Sequence, residues 1–252
     1  MLTKTDGIVI KENFYSERDK ILTILTSKLG VIRVFAKGCR SNKSKLFSSA
    51  QFLQYSDFVL FSKNDVYTLN ESFLKRSFLG LRYDLESLII AQYMCEVIIC
   101  LVKCNMETSD ILKLFLNSIY ALESRKFNKT IIKSVFEIRL ISILGYQPSI
   151  SECKFCKRQD FNKLYFYLPD FSLICDNCTK NVKLINKKDF IRLNFSLIKA
   201  LKYSIFSRTK SMFSFSLSNE NLNLFSNITQ KCIERYINKP LKTLKMYEEY
   251  LK

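Results

Sequence analysis

Two Cys-x-x-Cys pairs, Cys153-Lys154-Phe155-Cys156 and Cys175-Asp176-Asn177-Cys178, stand eighteen residues apart in a chain of 252 residues that has no histidine. Each pair can form a knuckle in which two thiolates converge on one ion. The stretch between them, Lys163 to Tyr167 and then Pro169-Asp170, reads as a β-hairpin that carries the second pair back to the first. Cys153, Cys156, Cys175 and Cys178 are therefore the expected ligands of one structural Zn²⁺ per chain, tetrahedral and with no coordination position left open. Redox motifs are the competing reading, but neither pair lies in a βαβ pattern. Loading four thiolates with one Zn²⁺ takes the formal charge from +17 to about +15.

The missing histidines also narrow the chemistry. They exclude Ser-His-Asp and Cys-His catalysis, His-Glu-x-x-His metalloproteases and Cys₂His₂ fingers. Neither a glycine-rich dinucleotide fingerprint nor a P-loop is present, so no enzymatic activity is expected. Glu248-Glu249 and the Asp84/Glu86 pair read as surface or helix-end charges. The other five cysteines, Cys39, Cys95, Cys100, Cys104 and Cys232, are expected to be free thiols. Cys100 and Cys104, four residues apart, are placed on one helix face as small hydrophobes. The first residues lack the apolar run of a signal peptide, and Leu88 to Val102 is too short to span a bilayer. A cytoplasmic, nucleoid-associated protein without membrane contact is expected.

Periodicity divides the chain. Within residues 1–80, Gly7–Ile10, Lys20–Thr26, Val31–Phe35, Phe52–Phe61 and Val66–Leu74 read as five strands, with Leu29-Gly30 as a turn and a polar loop from Gly38 to Ser49. A five-stranded OB-like barrel is the economical way to close them. After about Leu81 the period becomes helical. Asp84–Lys103 keeps its polar residues Gln92, Glu96 and Lys103 on one stripe and should be largely buried. A second helix carries Ile111, Phe115, Ile119 and Leu122 behind Ser109 as cap. A third runs from Ile131 to Leu144, with Gly145 at C′ and Pro148 beyond. Segments near 187–206, 220–238 and 241–251 also read as helices. The expected class is α+β: a barrel domain at 1–80, then an all-α domain at 81–252 carrying the zinc insertion at about 151–180.

The charge is uneven. Residues 1–80 hold 13 basic and 7 acidic groups, 81–150 hold 8 and 7, and 151–252 hold 19 and 9. Between Asp19 and Asp57 there is no acidic residue, while Lys20, Lys28, Arg33, Lys37, Arg40, Lys43 and Lys45 all fall there. A basic loop beside a barrel face can track a phosphate backbone, with Phe35 and Phe47 as candidate base stackers or core residues. The residues alone leave two binding functions open: a DNA protein, or a zinc-ribbon RNA-binding or transcription factor.

Several short motifs carry a family likeness. Thr5-Asp6-Gly7-Ile8-Val9, Tyr15-x-Glu17-x-Asp19, Thr26, Gly30 and Ala36-Lys37-Gly38-Cys39-Arg40 come first. Phe136-Glu137-x-Arg139-Leu140 with Leu144-Gly145-Tyr146-x-Pro148 leads into the first cysteine pair, and Pro240-Leu241-Lys242-Thr243-Leu244 follows near the end. In this order, over the whole chain, they resemble the RecO family of bacterial DNA repair proteins. The resemblance implies an N-terminal OB fold, a helical C-terminal domain and a zinc-bearing insertion. It further implies a non-enzymatic recombination mediator that binds single- and double-stranded DNA and anneals complementary strands. With RecR it helps load RecA onto DNA coated by single-strand binding protein (SSB). Carried onto this chain, the expected DNA contacts are Arg33, Lys37, Arg40, Lys43, Lys45 and Lys20. Relatives commonly have Gly-Gly before the second cysteine pair, where this chain has Phe171-Ser172-Leu173, so a different hairpin turn is expected. Some relatives lack zinc, which implies that the four cysteines stabilise the fold without acting in annealing.

Overall fold

The computed structural model describes residues 1–64, 66–159, 164–181 and 189–251. They fall into two compact units, Met1–Ser124 with Lys239–Lys252, and Arg125–Asn238.

The first unit opens with five strands, β1 (Leu2–Phe14), β2 (Lys20–Thr26), β3 (Val31–Ala36), β4 (Gln54–Lys63) and β5 (Val66–Ser77), in a closed barrel of order β1-β2-β3-β5-β4. Strand β1 is much longer than its apolar centre suggested. Its first half pairs with β4 and its second half with β2, with a register shift between Val9 and Lys11. One bent strand thus serves both neighbours, a common way to turn a barrel corner. The only parallel pairing among these strands, β3 with β5, completes the closure. Alternate residues point inward, so Val9, Leu22, Ile24, Ile32, Val34, Phe58, Leu60 and Leu69 fill the core. Cys39 and Ala50, from the loop after β3, join that core and pin the loop to the barrel.

A 3₁₀ turn (Leu79–Tyr83) leads to α1 (Leu85–Leu101), whose N-cap Asp84 accepts from the Ser87 amide at 3.3 Å. Ile90, Ala91, Tyr93, Met94, Val97 and Ile98 are fully buried, as the near-continuous apolar pattern predicts. The helix ends at Leu101, so Cys104 lies outside it, exposed and bridged to Gly30. The placement of Cys100 and Cys104 on one helix face is therefore corrected. Helix α2 (Ser109–Ser124) begins at Ser109, which is the first helical residue and not its cap. The Ser109 hydroxyl instead bonds Glu107 at 2.5 Å. Helix α7 (Lys242–Leu251) packs on α1 within the same unit.

The second unit holds α3 (Lys129–Ile143), α5 (Phe195–Phe206) and α6 (Asn219–Glu234), which pack on one another, and a small sheet that α5 meets at its first strand. Helix α3 ends in a Schellman arrangement: the Gly145 amide donates to Ser142 O at 3.1 Å and Tyr146 N–H to Ile141 O at 2.8 Å. Gly145 sits at φ +90, where a residue without Cβ fits best. The sheet is built from β6 (Ser149–Cys153), β7 (Leu164–Tyr167), β8 (Ser172–Cys175) and β9 (Phe190–Leu193), in the order β6-β8-β7-β9. Only β7 and β8 were expected, from the hairpin reading; Lys163, its first residue, lies outside the described residues. The helix expected near 187–206 is corrected likewise. Residues 187 and 188 lie outside the described residues, 190–193 form β9, and the helix starts only after Asn194, whose side chain caps it. A four-residue strand such as Phe190-Ile191-Arg192-Leu193 is too short to be told from a helix start by periodicity. Among the described residues no helix is long and apolar enough to cross a membrane.

Candidate metal centre and nucleic-acid interface

The cysteine centre is built by strand pairing. Strand β8 runs parallel to β6 and antiparallel to β7, which puts the end of β6 (Cys153) beside the end of β8 (Cys175). Cys156 follows in a turn closed by Lys157 N–H to Cys153 O at 3.0 Å, with Lys157 at φ +60. Cys178 lies one turn into the short helix α4 (Asp176–Asn181). All four Sγ atoms lie within 4.8 Å of one another, and Cys156 Sγ is 3.7 Å from Cys175 Sγ. Tetrahedral zinc with Zn–S near 2.3 Å needs sulfurs about 3.8 Å apart, so this cluster fits a metal ion. Cys153 and Cys175 are buried, Cys178 is half-buried and Cys156 is exposed.

The protons are shared unevenly. Burial pushes the Cys153 thiol up. The backbone N–H groups of Cys156, Cys175 and Phe155, which donate to its sulfur, overcome that and hold it at about 6. Cys178 is pushed up to about 12, by burial and by the neighbouring sulfurs. Four thiolates cannot share so small a space without a cation, so metal loading and proton release go together.

The turn before the second pair differs from a Gly-Gly turn in a specific way. Phe171 adopts the left-handed conformation itself, at φ +55. Its buried ring stacks on Phe166 at 6.2 Å and tilts against Tyr236 at 6.0 Å. That packing offsets the strain a non-glycine residue carries there.

On the barrel, Arg33 stands on the outer face of β3, opposite Thr23, with Lys11 on the far side of Thr23. Lys37, Lys43 and Lys45 project from the loop that follows and are exposed. Among the described residues none of Arg33, Lys37, Lys43 and Lys45 forms a salt bridge. Arg40 is half-buried: its guanidinium donates to Ser16 O at 2.6 Å and lies over the Phe14 ring at 4.3 Å. Lys20 stands apart from this set, at 8% exposure. Its ammonium faces into the barrel end, bonded to Glu12 at 2.7 Å and to Ala50 O at 3.2 Å. The strand register, with Lys20 on the same side as Leu22, turns it inward.

Phe47 is half-buried in the loop, and Phe35 is half-buried beneath Tyr15, the two rings meeting edge to face at 5.4 Å. Phe14 and Tyr15 themselves lie in solvent. Tyr15 entered the sequence reading only as part of the Tyr15-x-Glu17-x-Asp19 motif and Phe14 not at all, although two adjacent aromatics just before the polar turn Ser16–Asp19 are a readable sign of an exposed hairpin tip.

Comparison with known proteins agrees with this anatomy. The family described as "Recombination protein O N terminal" matches residues 1–78, and "Recombination protein O C terminal" matches residues 82–245. A protein of Acetivibrio thermocellus named "DNA repair protein RecO" is 37% identical over 236 residues, covering 94% of this chain and 92% of its own. A Caldicellulosiruptor bescii protein of the same name is 29% identical, with 98% of each chain covered. One from Clostridium perfringens is 35% identical over 77% of this chain and 79% of its own. The likeness runs from the barrel through the helices and the cysteine sheet, and the chain belongs to the RecO family of DNA repair and recombination proteins.

Proposed function

We propose that this chain is a recombination mediator that binds single- and double-stranded DNA on its barrel, residues 1–80, and anneals complementary strands. With RecR it helps load a RecA-type recombinase onto DNA coated by SSB, in the cytoplasm and on the nucleoid. Its work is binding and bringing together, with no bond made or broken. The helical region, 81–252, carries the insertion at about 151–180, whose four cysteines hold one structural Zn²⁺. The soft, all-sulfur donor set and the sulfur spacing support zinc. Bound there, the ion supplies a tetrahedral cross-link between β6, the turn after it and β8-α4.

The observation that carries this reading is the set of basic groups on the barrel that form no salt bridge among the described residues. Arg33, Lys37, Lys43 and Lys45 are solvent-facing or exposed, and no acidic residue lies between Asp19 and Asp57. Such a surface neutralises phosphates and releases their counterions, so affinity should fall steeply with salt. Arg40 belongs at its edge, because its guanidinium is partly used within the protein. Lys20 is left out, because its ammonium is already paired with Glu12 at the barrel end.

The test is annealing of SSB-coated complementary oligonucleotides, with zinc measured on the same preparation. The Arg33→Glu/Lys37→Glu/Lys43→Glu variant should lose annealing while keeping its circular dichroism. Undiminished annealing by that variant would sink the assignment. Lys43→Ala/Lys45→Ala should lower the slope of log affinity against log salt by roughly 2.

A further inference from the structure

The tip of the first hairpin leaves two large rings in solvent. Phe14 and Tyr15, at the end of β1, are 69% and 66% exposed. Apolar rings of this size are normally taken out of water, so a fold that leaves two of them exposed at consecutive positions forgoes stability at this point.

The tip is nonetheless held. Tyr15 and Ser16 amides donate to Asp19 O at 3.1 and 3.4 Å, and the Ser16 hydroxyl donates to the Asp19 carboxylate at 2.9 Å. The other Asp19 oxygen accepts the Gly38 N–H at 2.7 Å, tying the tip to the start of the basic loop. Tyr15 rests edge-on against Phe35, and the guanidinium of Arg40 lies over Phe14. Both rings are thus oriented before any ligand arrives, which lowers the entropy cost of binding.

Charge alone does not distinguish a single strand from a duplex, because both present phosphates. A ring face can take only a base that has left its stack, and it does so without sequence preference because every base has a π-face. We propose that Phe14 and Tyr15 form a stacking platform for unpaired bases. The platform gives single strands a binding contribution that duplex DNA lacks, and the basic residues beside it hold the backbone of both. This rests on the barrel being the DNA-binding surface.

The experiment measures binding of the full chain to an oligo(dT) and to a blunt duplex of equal length, at one salt concentration. Phe14→Leu/Tyr15→Leu keeps the apolar bulk but removes the rings. It should lose about tenfold or more in affinity for oligo(dT), since about 1.4 kcal/mol corresponds to tenfold. Its duplex affinity should stay within about twofold, and Tyr15→Phe should bind both as the unaltered chain does. The chain has no tryptophan, so Tyr15→Trp supplies a single reporter. Its fluorescence should be quenched by oligo(dT) and not by the duplex. Equal losses for both DNA forms in the double variant, or no loss together with no quenching in Tyr15→Trp, would overturn the platform and leave the DNA-binding reading standing. Failure of the unaltered chain to bind either form would overturn that reading, and the platform with it.

Discussion

Gly30 shows how one residue can fix where two segments meet. It sits at φ +70 in the turn between β2 and β3, and a Cβ there would lie 2.1 Å from Lys103 O. The close approach lets Val31 N–H reach Lys103 O at 3.4 Å and Asn105 N–H reach Leu29 O at 2.9 Å, while the Thr108 hydroxyl bonds Thr26 O at 2.6 Å. The connection between α1 and α2 is thereby stitched to the barrel's edge. Gly30→Ala combines a left-handed backbone with a clash against main chain, which cannot rotate away. It should destabilise the first unit by well over about 1 kcal/mol, read from its urea midpoint; an unchanged midpoint would contradict this account. The Leu29-Gly30 turn was legible in the sequence, because glycine before a β-branched run marks a hairpin. What Gly30 touches was not, since Lys103 lies far along the chain.

Elements are joined here by polar side chains whose partners are distant in sequence. Glu96, on the polar stripe of α1, accepts from Thr243 N at 2.9 Å, Thr243 Oγ1 at 2.6 Å and Lys242 N at 3.2 Å. It caps the N-terminus of α7 from another helix, where a negative charge also meets the positive end of the helix dipole. Burial raises its pKa, but the Thr243 hydroxyl, the Thr243 and Lys242 amides and the Lys239 charge together hold it below the ordinary 4.5. A carboxyl depressed in the folded state stabilises the fold above its ordinary pKa, and that contribution is lost as pH falls through the lowered value. Glu96→Ala should therefore cost about 1 kcal/mol at pH 7, and its stability gap to the unaltered chain should close in acid; thermal melts across pH 3–7 read both.

The α3–α6 contact holds a different device. Lys133 and Glu137, both 0% exposed, pair at 2.7 Å, and Glu137 Oε2 accepts from Thr229 on α6 at 2.7 Å. Removing one member of a buried pair leaves a stranded charge. Glu137→Leu alone should destabilise the second unit by about 3–5 kcal/mol, while Lys133→Met/Glu137→Leu should recover most of that loss. Denaturant curves of the two variants decide it; equal losses would show that the pair itself is strongly stabilising.

At the scale of the whole molecule, the basic barrel loop and the cysteines belong to different compact units. The basic barrel face lies in Met1–Ser124 with Lys239–Lys252, and the four cysteines lie in Arg125–Asn238. Stripping the metal should then act on one unit. Calorimetry of the chelated protein, or of Cys153→Ser, should show one transition lowered by many degrees and the other unmoved, with binding to oligo(dT) retained. A loss of DNA binding in step with metal removal would tie the cysteines to function as well as to stability.

The sequence by itself determined the five barrel strands, because alternation with a period of two survives wherever one face is buried. It determined the end of α3 at Gly145 and the convergence of Cys153, Cys156, Cys175 and Cys178, because backbone sterics and tetrahedral ligation act over short, fixed spacings. The family was legible for the same reason, in short motifs kept in order. Only the tertiary structure decided that Lys20 turns inward to Glu12 while its basic neighbours face water, since the direction of one side chain depends on strand register. It also decided that 190–193 add a strand to the cysteine sheet, that α7 returns to α1 under Glu96, and that Phe14 and Tyr15, not Phe35, meet the solvent. Each of these depends on a partner far along the chain, and distant partners leave no local period to read.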